Sequence, residues 1–229
     1  YSDLQYFVCN STGMKKKLKW RLAQELEYKW WQQYLHKKDT VEYLQQKKNY
    51  WLQLLSSLQE PVLEAPGQSI LDAGCGPAGI FIALQDHQVV ALDPLLERYK
   101  NLPHFNPDAY PWTTFIESPL ELLADKEQYD TIFCMNAINH VNDITLCCRR
   151  LFDALKPGGH LVLSTDAHRF SLLKKIFQWL PGDMLHPVQL DINEYRKHLT
   201  DLNLEIKKSI RYKEAGIFNY YILIAQKKA

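Results

Sequence analysis

The fold is decided by the stretch SILDAGCGPAG at residues 69–79 and by VVALD at residues 89–93. The first stretch begins as a short apolar strand and enters a turn that contains Gly74, Gly76 and Gly79. Glycines permit a tight turn and let the backbone approach a ligand closely. The second stretch is another apolar strand, and it ends on an aspartate. Together they predict neighbouring parallel strands whose carboxyl ends face a ligand.

The rest of the chain continues to alternate short apolar strands with helices, which predicts a mostly parallel sheet covered on both faces. A short turn around Gly216 joins the last two strands and predicts an antiparallel pair at the sheet edge. The predicted strands are Ser69–Asp72, Val89–Asp93, Thr113–Ile116, Asp130–Met135, His160–Thr165, Leu204–Tyr212 and Asn219–Gln226, and the helices between them are Gly79–Leu84, Leu95–Asn101, Asp143–Leu155 and Asn193–Leu202.

Two amphipathic helices are predicted ahead of the sheet. Apolar side chains recur every four residues through residues 15–36, as in a helix that packs on one face. A second helix begins at Asp39 or Thr40, either of which can cap it, and ends before Pro61. The apolar positions of the first helix are Leu18, Leu22, Leu26, Trp30 and Tyr34.

These patterns predict the domain organisation. Residues 14–60 form an N-terminal helical cap, residues 61–229 form the sheet domain, and residues 1–13 are a tag or a disordered extension. A later segment, Phe170–Leu180, is apolar on one face and is interpreted as either a lid over the site or a surface helix.

Composition excludes several classes of protein. The net charge of +1 argues against a dedicated nucleic-acid binder, although residues 61–165 carry thirteen acidic against six basic residues. No apolar run reaches the length of a membrane span. The five cysteines lack metal-site or redox spacing, so we expect a reduced, cytoplasmic protein without a metal, present as a monomer or homodimer.

Asp72 separates two interpretations of the glycine turn. The three glycines followed by Asp93 also match a dinucleotide site, so an NAD-dependent oxidoreductase stays open. However, a carboxylate at Asp72 would repel a pyrophosphate. The ammonium and sulfonium of S-adenosylmethionine would instead be attracted, and Asp93 can accept hydrogen bonds from the ribose hydroxyls.

Several stretches in a fixed order resemble class I S-adenosylmethionine-dependent methyltransferases, nearest the small-molecule branch of ubiquinone and menaquinone biosynthesis. They are the glycine turn, Asp93, FIES at residues 115–118, YDTIF at residues 129–133 and LKPGGH at residues 155–160. The resemblance implies a Rossmann-like α/β fold with a seven-stranded, mostly parallel sheet, an antiparallel last strand and the N-terminal helical cap. Two positions depart from the family: Ala78 stands where its third glycine falls, and Glu117 stands for the usual aspartate.

The resemblance also implies the contacts of the cofactor. The methionyl end would lie against the turn, the ribose against Asp93, and the adenine amino group against Glu117. Asn136 would lie near the reactive methyl group. The full set of implied cofactor-binding residues is Asp72, Ala73, Gly74, Cys75, Gly76, Asp93, Pro94, Glu117, Ser118 and Asn136.

The residues that bind the methyl acceptor are less clearly indicated by the sequence than those that bind the cofactor. Methyl transfer to an oxygen, nitrogen or carbon nucleophile needs mainly alignment, and a general base only where the acceptor arrives protonated. His140 is the candidate base, although it equally suits a loop-orienting role. The candidates for the acceptor pocket are Tyr28, Trp30, Tyr34 and His186. A non-catalytic S-adenosylmethionine-binding module remains an alternative.

Overall fold

The structure is a computed structural model that describes residues 20–58, 60–168, 190–215 and 218–229. The predictions that concern residues outside these ranges are the extension at 1–13, the start of the first helix at 15–19 with Leu18, the segment Phe170–Leu180, His186, and the turn around Gly216.

A seven-stranded sheet forms the centre of the described chain, with strand order β3-β2-β1-β4-β5-β7-β6. Neighbouring strands from β3 to β5 pair in parallel, whereas β7 pairs antiparallel with both β5 and β6. The fold predicted from the sequence is therefore confirmed. The strands are β1 Ser69–Ala73, β2 Gln88–Asp93, β3 Thr113–Glu117, β4 Tyr129–Met135, β5 Leu155–His168, β6 Leu204–Ala215 and β7 Phe218–Lys227.

Helices cover both faces of this sheet. The strand β1 shows how the faces divide, because Ile70 packs into one apolar cluster and Leu71 into the other. The first cluster holds the N-terminal helices, and the second holds the helices that follow β4 and precede β6. The helices are α1 at residues 20–36, α2 Thr40–Ser57, α3 Leu96–Tyr99, α4 Ile144–Ala154 and α5 Ile192–Thr200.

Helix starts follow the capping rules. Asp39 caps α2 by accepting a hydrogen bond from the Glu42 amide at 2.9 Å. Asp143 caps α4 in the same way, and Asp191 forms a capping box with Glu194 at the start of α5.

The predicted buried face of α1 is wrong. Leu22, Trp30 and Tyr34 are 45%, 47% and 41% exposed. A repeat of four residues turns by about 40° per step around a helix of 3.6 residues per turn, so such a stripe leaves the packed face. The side chains of α1 that are buried are Ala23, Gln24, Tyr28 and Leu35.

Two predicted element types also differ from the structure. The turn after the glycines contains two short 3₁₀ segments, Gly76–Ala78 and Ile80–Ala83, instead of an α-helix from Gly79 to Leu84. The fifth strand begins at Leu155 rather than His160, because Leu155 already pairs with Tyr129 of β4; the register then shifts before His160 pairs with Thr131.

Candidate functional site

The glycine turn forms the floor of the site, at the carboxyl end of β1. Gly74 and Gly76 have φ angles of 73° and 59°, a region that favours glycine. A side chain at Gly74 would collide with Ala137, which follows β4. A Cβ atom at Gly76 would lie 3.5 Å from the Trp31 ring of α1. The turn is thus enclosed by the chain after β4 and by the N-terminal helix.

Asp72 supports this turn from beneath. Its carboxylate is 1% exposed and accepts a hydrogen bond from the Phe81 amide at 3.1 Å. Burial raises the pKa of Asp72 to about 7, although the backbone hydrogen bonds oppose this shift. Neither Asp72 nor Ala73 lines the cavity described below. The structure therefore places Asp72 as a residue that shapes the turn.

Asp93 lies at the end of β2 and is 5% exposed. One carboxylate oxygen accepts from the Gly76 amide and the other from the Leu95 amide, both at 2.9 Å. Burial raises the pKa of Asp93 to about 6, the two backbone hydrogen bonds oppose the shift, and the Glu117 carboxylate adds to it. Asp93 therefore connects the glycine turn to the start of α3.

A cavity of about 740 Å³ opens above the turn and Asp93. Gly74, Cys75, Gly76 and Pro94 line it from the sheet edge. The opposite walls are aromatic, and they consist mainly of Trp20, Trp30, Trp31, Tyr50, Trp51 and Tyr220. This volume and lining suit a small organic ligand.

Asn136 lines the same cavity and has an unusual backbone, with a φ of 54° directly after β4. Its amide donates to the carbonyl and the hydroxyl of Ser164, at 3.0 and 2.9 Å. The Ser164 hydroxyl lies 2.6 Å from the Tyr220 hydroxyl. His140 also lines the cavity, and its amide donates to the Ala137 carbonyl at 3.0 Å.

The predicted adenine contacts lie outside the cavity. The Glu117 carboxylate accepts from the Glu97 amide at 2.5 Å, and the Ser118 amide donates to the Asp93 carbonyl at 3.3 Å. Both residues are next to Asp93, but neither lines the cavity. Their contacts with adenine stay predictions.

The three residues of α1 predicted for the acceptor pocket differ in whether they line the cavity. Trp30 lines the cavity, whereas Tyr28 and Tyr34 do not. Tyr28 is buried beneath Arg98, whose guanidinium lies 3.9 Å from the centre of the ring. Tyr34 stacks on the outer side of Trp30 with 4.8 Å between ring centres.

Four charged residues that line the cavity were not predicted: Glu27, Lys47, Glu121 and Lys213. Glu27 enters from α1, and Lys47 enters from α2. Burial, with Asp93 nearby, raises the pKa of Glu27 to about 8, while the Trp31 side chain opposes the shift by hydrogen bonding. Burial lowers the pKa of Lys47, and no carboxylate in the described part of the chain forms an ion pair with it. In the sequence, Glu27 and Lys47 lie within amphipathic helical patterns. Such patterns do not show which polar side chain faces a ligand.

Across the residues with described structure, no group of three or more His, Cys, Asp or Glu side chains is arranged to hold a metal ion. In the same residues we find no helix with the length and apolarity that crossing a membrane requires.

The profile of a methyltransferase domain family matches residues 42–206, which is most of the chain. The chain belongs to this methyltransferase family. The match begins within α2 and extends into β6, so it includes the glycine turn, Asp93 and Asn136. The resemblance predicted from the sequence is therefore confirmed.

Individual relatives agree with this membership. The methyltransferase is 26% identical over 212 residues to the ubiquinone biosynthesis O-methyltransferase of Rickettsia typhi, covering 85% of this chain and 81% of the relative. It is 29% identical over 150 residues to the protein of the same name from Rickettsia prowazekii, covering 61% of this chain and 59% of the relative. Magnesium protoporphyrin IX methyltransferase from Synechocystis PCC 6803 has the same fold, with a TM-score of 0.63 at 19% identity over 93% of this chain and 99% of that one.

The predicted activity agrees with the family, and the predicted small-molecule acceptor and S-adenosylmethionine are consistent with these relatives. The individual contacts of the methyltransferase with cofactor and acceptor remain predictions.

Proposed function

We propose that this methyltransferase transfers the methyl group of S-adenosylmethionine to an oxygen nucleophile of a small molecule, both bound in the 740 Å³ cavity. The observation that carries the proposal is the position of this cavity, which opens on the glycine turn, Asp93 and Asn136 at the carboxyl ends of three neighbouring strands. The names of the matched relatives support oxygen as the methylated atom.

The residues present fit the cofactor in charge as well as in shape. Gly74 and Gly76 leave room for close backbone approach, and Asp93 borders the same space for a ribose. Lys47 supplies a half-buried cation without an ion-pair partner in the described chain, which suits the methionyl carboxylate. A dinucleotide fits less well, because its pyrophosphate would lie beside the Asp93 carboxylate in the cavity wall.

When bound, the cofactor supplies a methyl group already activated by its positive sulfur. The protein therefore has to hold the acceptor in line with that group and exclude water. The aromatic walls serve this purpose, because they bury a flat or apolar acceptor. His140 borders the cavity near Asn136, where it can take the proton of an arriving hydroxyl group.

Calorimetric titration with S-adenosylmethionine, its demethylated product and NAD tests the cofactor. We expect the first two to bind and NAD not to bind, and binding of NAD alone would overturn the proposal. Asp93→Ala should weaken S-adenosylmethionine binding about tenfold to a hundredfold, the usual effect of losing a charge-assisted hydrogen bond. Asp86→Ala is the control, since Asp86 is exposed and outside the cavity.

Turnover tests the chemistry separately. With labelled S-adenosylmethionine and a panel of phenols, amines and carbon acids, we expect methylation of a phenolic or other hydroxyl oxygen. Cofactor binding without methylation of any acceptor would favour the non-catalytic module. His140→Gln should slow methylation at neutral pH by at least tenfold if His140 is the base. Full activity of that variant would leave His140 with its loop-orienting role.

The oligomeric state and the cellular location are part of the same proposal. We propose a monomer or homodimer in the cytoplasm, where four buried cysteines of the described chain stay as thiols. Light scattering and cell fractionation test these two statements.

A further inference from the structure

Three carboxyl groups line the cavity, and they differ in what they already bind. Asp93 accepts two backbone hydrogen bonds, from Gly76 and Leu95. Glu121 accepts from the amides of Asn142 and Asp143 at 2.7 and 3.3 Å. Both carboxylates are therefore held by backbone amides.

Glu27 is the exception. Within the ranges that the structure describes, its carboxyl group accepts no hydrogen bond from a backbone amide and forms no ion pair. Its polar neighbour is the Trp31 side chain. It projects from α1 into the cavity and faces the Asp93 end of the space. Its carboxyl group therefore keeps free acceptor capacity beside the place proposed for the cofactor.

The charged groups around Glu27 indicate what kind of ligand its carboxyl group favours. Asp93 at the end of β2 and Tyr99 of α3 are its titratable neighbours. The cavity is also lined by Glu121, His140, Lys47 and Lys213. A carboxylate beside Asp93 is disfavoured in the empty cavity by burial and by like charge, and a cation placed between them removes both penalties.

We infer that Glu27 is the residue through which this methyltransferase distinguishes positively charged S-adenosylmethionine from its neutral demethylated product. This inference rests on the proposed cofactor site. The sulfonium carries a positive charge that the product lacks, while the rest of the two molecules is the same. An unpaired acid in the wall favours the charged form, and the neutral product loses that attraction once the methyl group has left.

The pH dependence follows from the same arrangement. Because the pKa of Glu27 is raised to about 8 in the free protein, its carboxyl group is largely protonated at neutral pH. Binding of a cation beside it lowers that pKa, and the group releases its proton to the solvent. Affinity for S-adenosylmethionine should then rise as the pH rises through about 8, whereas affinity for the product should change little.

Calorimetry in two buffers with different ionisation enthalpies measures the released proton directly. At about pH 7 we expect binding of S-adenosylmethionine to release nearly one proton more than binding of its product. Glu27→Gln should abolish this difference and reduce the preference for S-adenosylmethionine over the product about tenfold. Product affinity should stay within about twofold, which shows that the variant is folded.

Glu25→Gln is the matched control, because Glu25 lies two positions away on α1 and pairs with Arg98 outside the cavity. It should keep both the proton release and the preference. If wild-type protein binds S-adenosylmethionine with no extra proton release, or if Glu27→Gln keeps the wild-type preference, the inference is wrong while the cofactor site stands. If the wild-type protein binds neither molecule, the proposed function itself fails.

Discussion

Gly79 shows how closely the turn of this methyltransferase is packed. Its φ angle of −73° is open to any residue, so its requirement is one of space. A Cβ atom there would collide with the Asp72 carboxylate and with the Cys75 carbonyl oxygen. Asp72 can reach the Phe81 amide only because this position is empty. The irregularity noted at Ala78 is therefore explained: the glycine that the turn needs is one position later.

Gly79→Ala should lower the free energy of unfolding by about 1–3 kcal/mol, because the added methyl group must push backbone aside. It should also weaken S-adenosylmethionine binding, since Asp72 no longer holds the turn. Gly67→Ala is the control: its φ of 80° makes it costly too, but nothing lies within 4 Å of its new Cβ atom. Urea denaturation and calorimetry separate the two effects. Equal loss of binding in both variants would contradict a local role for Gly79.

Asp72 shows what can and cannot be predicted from a single residue of the sequence. Its position before the glycines was visible in the sequence, and its charge was interpreted as facing the cofactor. The side-chain alternation of β1 directs it toward the Ile80–Ala83 turn, where it accepts a backbone hydrogen bond. A charge at a predicted strand end is therefore not enough to assign a ligand contact, because the direction of the side chain decides what it meets.

At the scale of elements, the strands and the two helices of the cap were predictable, whereas the packed face of α1 was not. Strand boundaries shifted by only a few residues, because apolar runs and turn residues are local signals. The face of α1 that packs depends on α3, where Arg98 binds Glu25 at 2.7 Å and covers Tyr28. Which polar residues of α1 and α2 reach the cavity follows from that packing, so Glu27 and Lys47 were missed.

The contact of α2 with the glycine turn gives a prediction at this scale. The Trp51 indole donates to the Ala78 carbonyl at 3.1 Å and lines the cavity. Trp51→Phe keeps an aromatic ring but leaves that carbonyl without its donor. We expect a loss of about 0.5–1.5 kcal/mol in the free energy of unfolding together with weaker S-adenosylmethionine binding.

A matched variant isolates the second effect. The Trp112 indole donates to the Phe81 carbonyl at 2.9 Å, and Trp112 lies outside the cavity. Trp112→Phe should therefore cost similar stability in urea denaturation and leave the dissociation constant unchanged. A loss of binding in the Trp112 variant, or none in the Trp51 variant, would show that α2 does not position the turn.

At the scale of the whole molecule, the net charge of a segment of the chain does not predict which charged residues line the cavity. The acidic excess of residues 61–165 suggested a cationic ligand. In the structure the cavity takes Asp93 and Glu121 from that segment but Glu27 and Lys47 from the basic N-terminal part. Sequence counts cannot anticipate this, because the cavity is assembled between α1, α2 and the sheet edge.

The last strand, β7, lies between β5 and β6; Tyr220 near its start lines the cavity, and a lysine holds its other end. Lys227, near the end of β7, is 9% exposed and donates to the carbonyls of Leu155 and Phe152 at 2.8 and 3.2 Å. Its ammonium also lies 4.5 Å from the centre of the Phe152 ring. One buried cation therefore joins β7 to the end of α4 and the start of β5.

Lys227→Met keeps most of the side chain but leaves both carbonyls without this donor. We expect the free energy of unfolding to fall by about 1.5–3 kcal/mol, the range for a hydrogen bond to a charged group, with an unchanged dissociation constant for S-adenosylmethionine. Lys228→Met is the control, because the neighbouring lysine is exposed and should change stability by less than about 0.5 kcal/mol. Equal stability of the two variants in urea would mean that β7 is held by its strand pairing alone. A loss of cofactor affinity in Lys227→Met would instead show that the two ends of β7 are energetically coupled.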